Sequence, residues 1–259
     1  MSHDDGGAML AATHPFEPSR SDRDDASDST RRQVRLQVVD DHPAVRLGLV
    51  QLFDGQRDFV VESVCVNAEA AVADAEHQGI DVAVVDYNLG GRNGLWVCRR
   101  LKRMAEPPRV VIFSAFANDH LAACCAVGGA DALLSKGVLG SELCDAVRSV
   151  ARGRRLLPRV STPLADMLRR RLSNDEELLF GMLLAGIPRA DIGEALGISE
   201  DELDSRAGAM LRELEPLPGE ASLPPRRGRI DTPEWAPTAQ GRRLPGGLTA
   251  HGHSTQRRS

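Results

Sequence analysis

The stretch of sequence that decides the fold is Asp81-Val-Ala-Val-Val-Asp86-Tyr-Asn-Leu-Gly-Gly-Arg-Asn-Gly94. Its apolar run, residues 82–85, shows no alternation with polar residues, which is typical of a strand buried on both faces of a parallel sheet. The run ends on the carboxylate of Asp86, and a glycine-rich loop that can bring backbone close to a ligand follows it. Because ligands of open α/β sheets bind beyond the carboxyl ends of the strands, we expect Asp86 to lie at the edge of a crevice.

Three other predicted strands also end on polar residues. Residues 34–39 lead into Asp40 and Asp41, residues 109–113 into Ser114, and residues 131–134 into Ser135 and Lys136. One polar residue at a strand end is common and carries little information by itself. Acids, a hydroxyl and a lysine at four strand ends together predict a single polar crevice of complementary chemistry.

The order and spacing of these residues resemble the receiver domain of bacterial two-component response regulators. The resemblance covers residues 34 to about 152 and rests on the Asp40-Asp41 pair, Asp86, Ser114 and Lys136. Within it, Asp41-His-Pro-Ala-Val-Arg-Leu-Gly48 is similar to the NarL/FixJ branch, whose members carry a LuxR-type helix-turn-helix.

The resemblance implies a role for each polar side chain of the crevice. It implies that Asp86 is the phosphoacceptor and takes a phosphoryl group from a phosphohistidine of a sensor histidine kinase. Lys136 would hold the phosphoryl oxygens as a point charge, and Ser114 would donate its hydroxyl to the same group. Beyond this phosphoryl chemistry of the chain itself, no enzymatic activity is expected.

The resemblance also implies a Mg²⁺ cofactor. Asp41 and Asp86 would supply carboxylates and Asn88 its backbone carbonyl, while Asp40 would act mainly through water. These hard oxygen ligands are the ones that Mg²⁺ prefers. Three acids this close together would repel one another, so we expect the site to bind a cation or to raise a carboxyl pKa.

Two positions depart from the family pattern. Gly90 stands where the family usually has a proline, which loosens the loop after Asp86. Leu133 stands where the family often has an aromatic switch residue, three positions before Lys136. Leu133 is interpreted either as a core residue or as part of a modified switch.

The chain divides into five predicted segments. These are a disordered leader (residues 1–32), a receiver domain (33–152), a linker with a linker helix (153–171), a LuxR-like helix-turn-helix domain (172–215) and a disordered tail rich in Arg, Pro and Gly (216–259). The predicted fold class is a flavodoxin-like α/β receiver, a doubly wound five-stranded parallel sheet, joined to a small all-α domain. Both terminal segments lack a periodic apolar face.

The helix-turn-helix prediction rests on local start and stop signals. Ser173 and Glu176 fit a capping box, residues 186–188 end that helix, and residues 197–199 form a tight turn. Ser199 is predicted to cap the third helix, with Glu202 at the capping-box position. The output helix therefore begins near residue 200.

The charge of this domain leaves two functions open. Residues 172–215 carry eleven acidic residues and three arginines, a balance of −8. DNA binding needs positive charge toward the phosphates, so the acids oppose it, although the family resemblance favours a DNA-binding transcription regulator. The alternative is a phosphorylation-controlled regulator that binds protein through a helix-turn-helix that no longer binds DNA.

The composition of the whole chain indicates the compartment in which the protein works. The net charge is −5 over 259 residues, and five cysteines without metal-ligand spacing indicate buried thiols in a reducing compartment. No apolar run approaches the roughly 20 residues of a membrane span, and we expect a cytoplasmic protein with no membrane partner. The resemblance also allows a homodimer.

Overall fold

A computed structural model describes residues 32–214 of the chain. The predicted disordered leader and tail lie outside the described residues, apart from Arg32. Within the described range, no helix has the length and apolar character needed to cross a bilayer.

Five parallel strands form one sheet in the order β2-β1-β3-β4-β5. The strands are β1 (Val34–Val39), β2 (Phe59–Cys65), β3 (Val82–Asp86), β4 (Arg109–Ser114) and β5 (Ala132–Ser135). The central strand β3 is buried along its whole length, as its unbroken apolar run predicts. This strand order confirms the flavodoxin-like prediction.

Five helices cover both faces of the sheet. They are α1 (Pro43–Asp54), α2 (Ala68–Gln78), α3 (Gly94–Leu101), α4 (Asp119–Gly128) and α5 (Gly140–Ala151). Apolar residues of α1 and α5 share one core with one face of the sheet, and those of α2, α3 and α4 share a second core with the other face. Asn67, Asn93 and Asn118 cap α2, α3 and α4, each accepting a hydrogen bond from a backbone N–H in the first turn.

The predicted linker begins as part of the sheet rather than as a free connection. Leu156 is buried, its N–H donates to the Asp131 carbonyl at 2.7 Å, and its own carbonyl accepts from Leu133 N–H at 3.2 Å. One isolated bridge, between Ala132 and Leu156, therefore ties the start of the predicted linker to β5.

Four further helices follow α5, and the first of them lies in the predicted linker, where a helix was expected. They are α6 (Thr162–Arg169), α7 (Asn174–Leu184), α8 (Arg189–Leu196) and α9 (Glu200–Leu214). Gly197 takes a left-handed conformation between α8 and α9, with φ of 65°, as the predicted tight turn requires. Apolar residues of α6 to α9 belong to the same core as α3 and α4, so the C-terminal helices pack directly on the α/β domain.

Candidate functional site

The strand register brings the predicted polar residues to one edge of the sheet. Val39 lies beside Val85, so Asp40, which follows Val39, lies beside Asp86 at the end of the neighbouring strand. Asp86 in turn lies beside Phe113, one residue before Ser114. Ser114 lies beside Ser135, the residue before Lys136. The ends of β1, β3, β4 and β5 therefore meet at one edge of the sheet.

Lys136 joins two of the acids. Its Nζ lies 2.6 Å from Asp40 Oδ2 and 2.8 Å from Asp86 Oδ2, and both carboxylates are buried. Burial alone would lower the pKa of Lys136, but its close contacts with the two carboxylates outweigh burial and raise that pKa. The ammonium group therefore stays charged and offsets part of the repulsion between the acids.

The carboxyl group of Asp86 has a shifted pKa. The residue is only 3% exposed, and burial raises its pKa, while Lys136 and the backbone N–H of Asn88 act in the opposite direction. Repulsion from Asp40 also raises the pKa but ranks below burial. The expectation of a raised carboxyl pKa is thus met, with desolvation as the larger cause.

The glycine-rich loop holds the end of β3 in place. A Cβ on Gly94 would lie 2.4 Å from the Asp86 carbonyl oxygen, so only glycine allows α3 to start this close to the strand. Gly94 N–H also donates to the Tyr87 carbonyl at 2.8 Å. Gly90 takes a left-handed conformation with φ of 63°, which a proline could not adopt. Gly90 therefore gives the loop a turn that a proline at the same position could not make.

Asp41 and His42 form the outer side of the crevice. His42 Nδ1 lies 2.6 Å from Asp41 Oδ1 and 3.4 Å from Asp40 Oδ1, and the backbone N–H of His42 donates to Asp40 Oδ1 at 2.8 Å. One ligand atom from each of Asp40, Asp41, His42 and Asp86 falls within 4.8 Å of the others. The sequence reasoning assigned no role to His42. Its position directly after the acid pair is the sequence signal that could have placed it in this cluster.

Ser114 and Leu133 both lie inside the protein. Ser114 is fully buried, and its Oγ accepts a hydrogen bond from Phe116 N–H at 3.1 Å. Leu133 is buried in the core beneath α2, α3 and α4. Leu133 therefore contributes to packing, and a role in a modified switch stays a hypothesis.

The sequence matches a known family over the region that forms this crevice. Residues 36–148 match the family described as "Response regulator receiver domain". These residues are a receiver domain. The match spans β1 to α5 and includes every strand end that lines the crevice.

Known proteins resemble the chain beyond the receiver domain. The DNA-binding transcriptional activator DevR/DosR of Mycobacterium tuberculosis is 29% identical over 191 residues, which are 70% of this chain and 88% of that protein. The nitrate/nitrite response regulator protein NarL of Escherichia coli K12 is 27% identical over 198 residues, 72% of this chain and 92% of NarL. A solved receiver domain of a NarL response regulator from Mycobacterium tuberculosis has 29% identity, a TM-score of 0.46, and covers 48% of this chain and 99% of its own.

The receiver domain also contacts the C-terminal helices through a buried cluster of charges. Asp204 of α9 is 8% exposed in its side chain and pairs with Arg99 at 2.8 Å, Arg103 at 3.4 Å and Arg189 at 3.6 Å. Burial lowers the pKa of Arg189, and the charge of Asp204 opposes that shift. Asp204 is therefore not a solvated acid of a free helix, since two of its partners, Arg99 in α3 and Arg103 just after it, belong to the receiver domain.

Further contacts of α9 with the receiver domain include a second ion pair, between Arg103 Nη2 and Asp201 Oδ1 at 3.1 Å. His120 Nε2 on α4 lies 2.6 Å from the Leu214 carbonyl oxygen at the end of α9. The buried residues of α9 all lie on the side of the helix that carries Asp204; they are Leu203, Ala207, Gly208, Met210, Leu211 and Leu214. The helix that would read DNA is thus packed against α4 along one face.

Proposed function

We propose that the chain is a response regulator whose Asp86 carboxylate takes a phosphoryl group from the phosphohistidine of a sensor histidine kinase. The observation that carries this proposal is the buried Asp86 carboxylate held 2.8 Å from Lys136, beside a second acid that the same lysine contacts. Attack by one Asp86 oxygen on phosphorus would form the acyl phosphate and release the histidine. Lys136 would then hold the added negative charge, and the buried hydroxyl of Ser114 would donate to a phosphoryl oxygen.

The same residues fit a divalent cation. Asp41 Oδ1 and Asp86 Oδ2 are buried and accept no well-directed hydrogen bond within residues 32–214, although His42 and Lys136 lie near them. Such oxygens suit a hard cation, and Asp40, Asp41, Asp86 and the backbone carbonyl of Asn88 would hold Mg²⁺. When bound, Mg²⁺ neutralises charge on the transferred phosphoryl group.

Phosphoryl labelling tests the assignment. Acetyl phosphate or a cognate kinase with Mg²⁺ is expected to label the wild-type chain but not Asp86→Asn. Asp41→Ala is expected to abolish the Mg²⁺-dependent part of the labelling, because a site with few protein ligands tolerates little loss. Labelling that persists in Asp86→Asn, or Mg²⁺ affinity unchanged in Asp41→Ala, would contradict the assignment.

For the output, we infer transcription regulation through the helix-turn-helix of α8 and α9. The support is the succession of α8, a left-handed glycine turn and α9, together with similarity to the DNA-binding transcriptional activator DevR/DosR. Because one face of α9 lies on α4, DNA contact by that face would require α9 to leave the receiver domain.

A second candidate output is protein binding without DNA. It is favoured by Asp204, because this acid of α9 is paired with arginines of the receiver domain and adds no positive charge for DNA phosphates. DNA retention by the full chain, measured with and without acetyl phosphate over a range of salt, separates the two candidates. Phosphorylation-dependent, salt-sensitive retention supports DNA output, and its absence at low salt supports protein output.

A further inference from the structure

Positive charge is concentrated on α3 and on the residues that flank it. No acidic residue occurs among residues 87–105, which carry five cations. Four of these cations recur around Trp96 at the spacing of three or four residues that defines one helical face. We call them, together with Trp96, the arginine surface; they are Arg92, Arg99, Arg100 and Arg103.

One half of the arginine surface is open to solvent. The guanidinium of Arg92 lies 4.5 Å from the centroid of the Trp96 ring, and that of Arg100 lies 5.7 Å from it. Arg100 is exposed and forms no ion pair within residues 32–214. Arg92 pairs with Glu69 at 3.3 Å, but both side chains are more than half exposed, so this pair holds the arginine weakly. Two acids of the groove between α2 and the end of α3 border this half; they are Glu76 and Glu106.

The other half of the surface is occupied by carboxylates of α9. Asp204 lies 2.8 Å from Arg99 and 3.4 Å from Arg103, and Asp201 lies 3.1 Å from Arg103. An arginine fork binds a carboxylate and a phosphate with the same bidentate geometry. The two acids of α9 therefore stand where the phosphates of a nucleic acid could bind.

The charge of the output domain makes such a surface useful. Residues 172–215 have a balance of −8, so a DNA-binding output needs positive charge from another part of the chain. Departure of α9 from the receiver domain would uncover Arg99 and Arg103 beside the already exposed Arg92 and Arg100. We propose that the arginine surface binds the phosphate backbone of double-stranded DNA once α9 has left it, and that the acids of α9 block it before. The inference rests on the proposed function, since it assumes the DNA output.

The salt dependence of DNA binding tests the surface. Binding of a fluorescent duplex of arbitrary sequence to the full chain is followed by anisotropy over a range of salt, with and without acetyl phosphate and Mg²⁺. Each phosphate contact contributes about 0.9 to the slope of log affinity against log salt, so Arg92→Gln with Arg100→Gln is expected to lower that slope by about two. Replacing the same two arginines by lysine keeps the charge and should keep the slope. Arg57→Gln, at an exposed arginine before β2, is the matched control and should leave the slope unchanged.

A second pair of variants tests the competition by α9. Asp201→Asn removes an exposed partner of Arg103 and is expected to strengthen DNA binding without acetyl phosphate about threefold or more. Glu213→Gln removes an exposed acid of the same helix that pairs with no arginine of the surface, so it should have the smaller effect. Thermal melts of all variants check that the fold is intact.

The contrary results are distinguishable from failure of the DNA output. If the wild-type chain binds DNA but the double glutamine variant keeps the wild-type slope, or if Arg57→Gln lowers the slope as much, DNA is held elsewhere and the inference is wrong while the DNA output stands. Polyglutamate that binds the surface more tightly than DNA at equal charge would identify an acidic protein as the partner and overturn the inference. If the wild-type chain binds no DNA even at low salt, both the DNA output and the inference are wrong.

Discussion

Arg99 of α3 and Asp204 of α9 form a two-bond ion pair between elements 105 residues apart in sequence, with Nε to Oδ1 at 3.2 Å and Nη2 to Oδ2 at 2.8 Å. Arg99 Nη2 also donates to the Asp204 carbonyl at 2.9 Å, so the guanidinium contacts both the side chain and the backbone of α9. A planar guanidinium suits this bidentate contact, which a lysine could not reproduce. The pair fixes the position of α9 along α3 as well as its distance from it.

Removing the negative charge of Asp204 is expected to destabilise the packed arrangement. Asp204→Asn removes the carboxylate that Arg99, Arg103 and Arg189 share and leaves Arg103 only its exposed partner Asp201, so we expect the free energy of unfolding to fall by about 2 to 3 kcal/mol. Denaturant unfolding and hydrogen exchange in α9 measure the effect. Glu213→Gln, which removes an exposed acid from the same helix, is the control and should change the free energy by less than about 0.5 kcal/mol. Equal effects of the two substitutions would contradict the proposed importance of the pair.

Gly208 is expected to be needed for the same contact. A Cβ at this position would lie 2.5 Å from Arg99 Nη1 and 2.6 Å from Nη2, so an alanine must push the guanidinium away from Asp204. We expect Gly208→Ala to lower the free energy of unfolding by about 1 kcal/mol, although alanine is the better helix former. At Gly181 in α7, an added Cβ meets nothing within 4 Å, and Gly181→Ala is expected to stabilise by about 0.5 to 1 kcal/mol. Thermal melts of the two variants should therefore shift in opposite directions.

The crevice could be predicted from sequence because each of its groups follows directly from a local pattern. An apolar run of strand length ends at Asp86, at Ser114 or just before Asp40, and parallel topology brings these ends together.

The capping of α9 was predicted only in part. Ser199 Oγ accepts from Glu202 N–H at 3.2 Å as predicted, but the Glu202 carboxylate pairs with Arg206 instead of returning to the cap.

The environment of Asp204 could not be predicted from charge alone. An acid on a helix is usually solvated, and its partners Arg99 and Arg103 lie about a hundred residues earlier in the chain. Helical periodicity did contain a signal, because Asp204 follows Leu203 and precedes Ala207 by three positions, on the apolar side of α9. Charge within an apolar stripe indicates a buried partner, but the partner itself depends on how α9 packs on the receiver domain.

The start of α7 is expected to make stability depend on pH in the acid range. The backbone N–H of Ser173 donates to Glu176 Oε2 at 3.0 Å and the Ser173 hydroxyl does so at 2.8 Å; these bonds lower the pKa of Glu176. A lowered carboxyl pKa stabilises the folded state above the usual glutamate pKa of about 4.3, and this contribution is lost as pH falls through the folded-state value.

Replacing Glu176 by glutamine is expected to remove this dependence. At pH 7, Glu176→Gln should lower the free energy of unfolding by about 0.5 kcal/mol, and the difference from wild type should shrink as the pH falls below about 4.3 and disappear below the lowered pKa of Glu176. Melts between pH 7 and pH 3 measure it. Glu177→Gln changes a charge in the same helical turn and controls for the helix dipole. A difference that persists at low pH, or that Glu177→Gln reproduces, would argue against the cap.

The last prediction concerns the loop after β3, where two neighbouring glycines should behave differently. An alanine at position 94 would place its Cβ 2.4 Å from the Asp86 carbonyl oxygen and 3.1 Å from Tyr87 Cα, and both of these atoms are backbone. Because backbone cannot turn aside as a side chain can, Gly94→Ala must move either the end of β3 or the start of α3. We expect a loss of about 2 kcal/mol or more in the free energy of unfolding. An added Cβ at Gly91 meets nothing within 4 Å, so Gly91→Ala should fold as wild type does.

The same pair of variants tests whether the loop positions the phosphoacceptor. Displacement of the β3 end would carry the Asp86 carboxylate away from Lys136, 2.8 Å from it in the intact site. We therefore expect Gly94→Ala to reduce acetyl phosphate labelling about tenfold or more at a temperature where the variant is still folded, because small misplacements of reacting groups cost large factors in rate. Gly91→Ala should label at the wild-type rate. If Gly94→Ala is destabilised but labels normally, the contact supports the fold alone, and the position of Asp86 is set by the sheet and Lys136 without help from the start of α3.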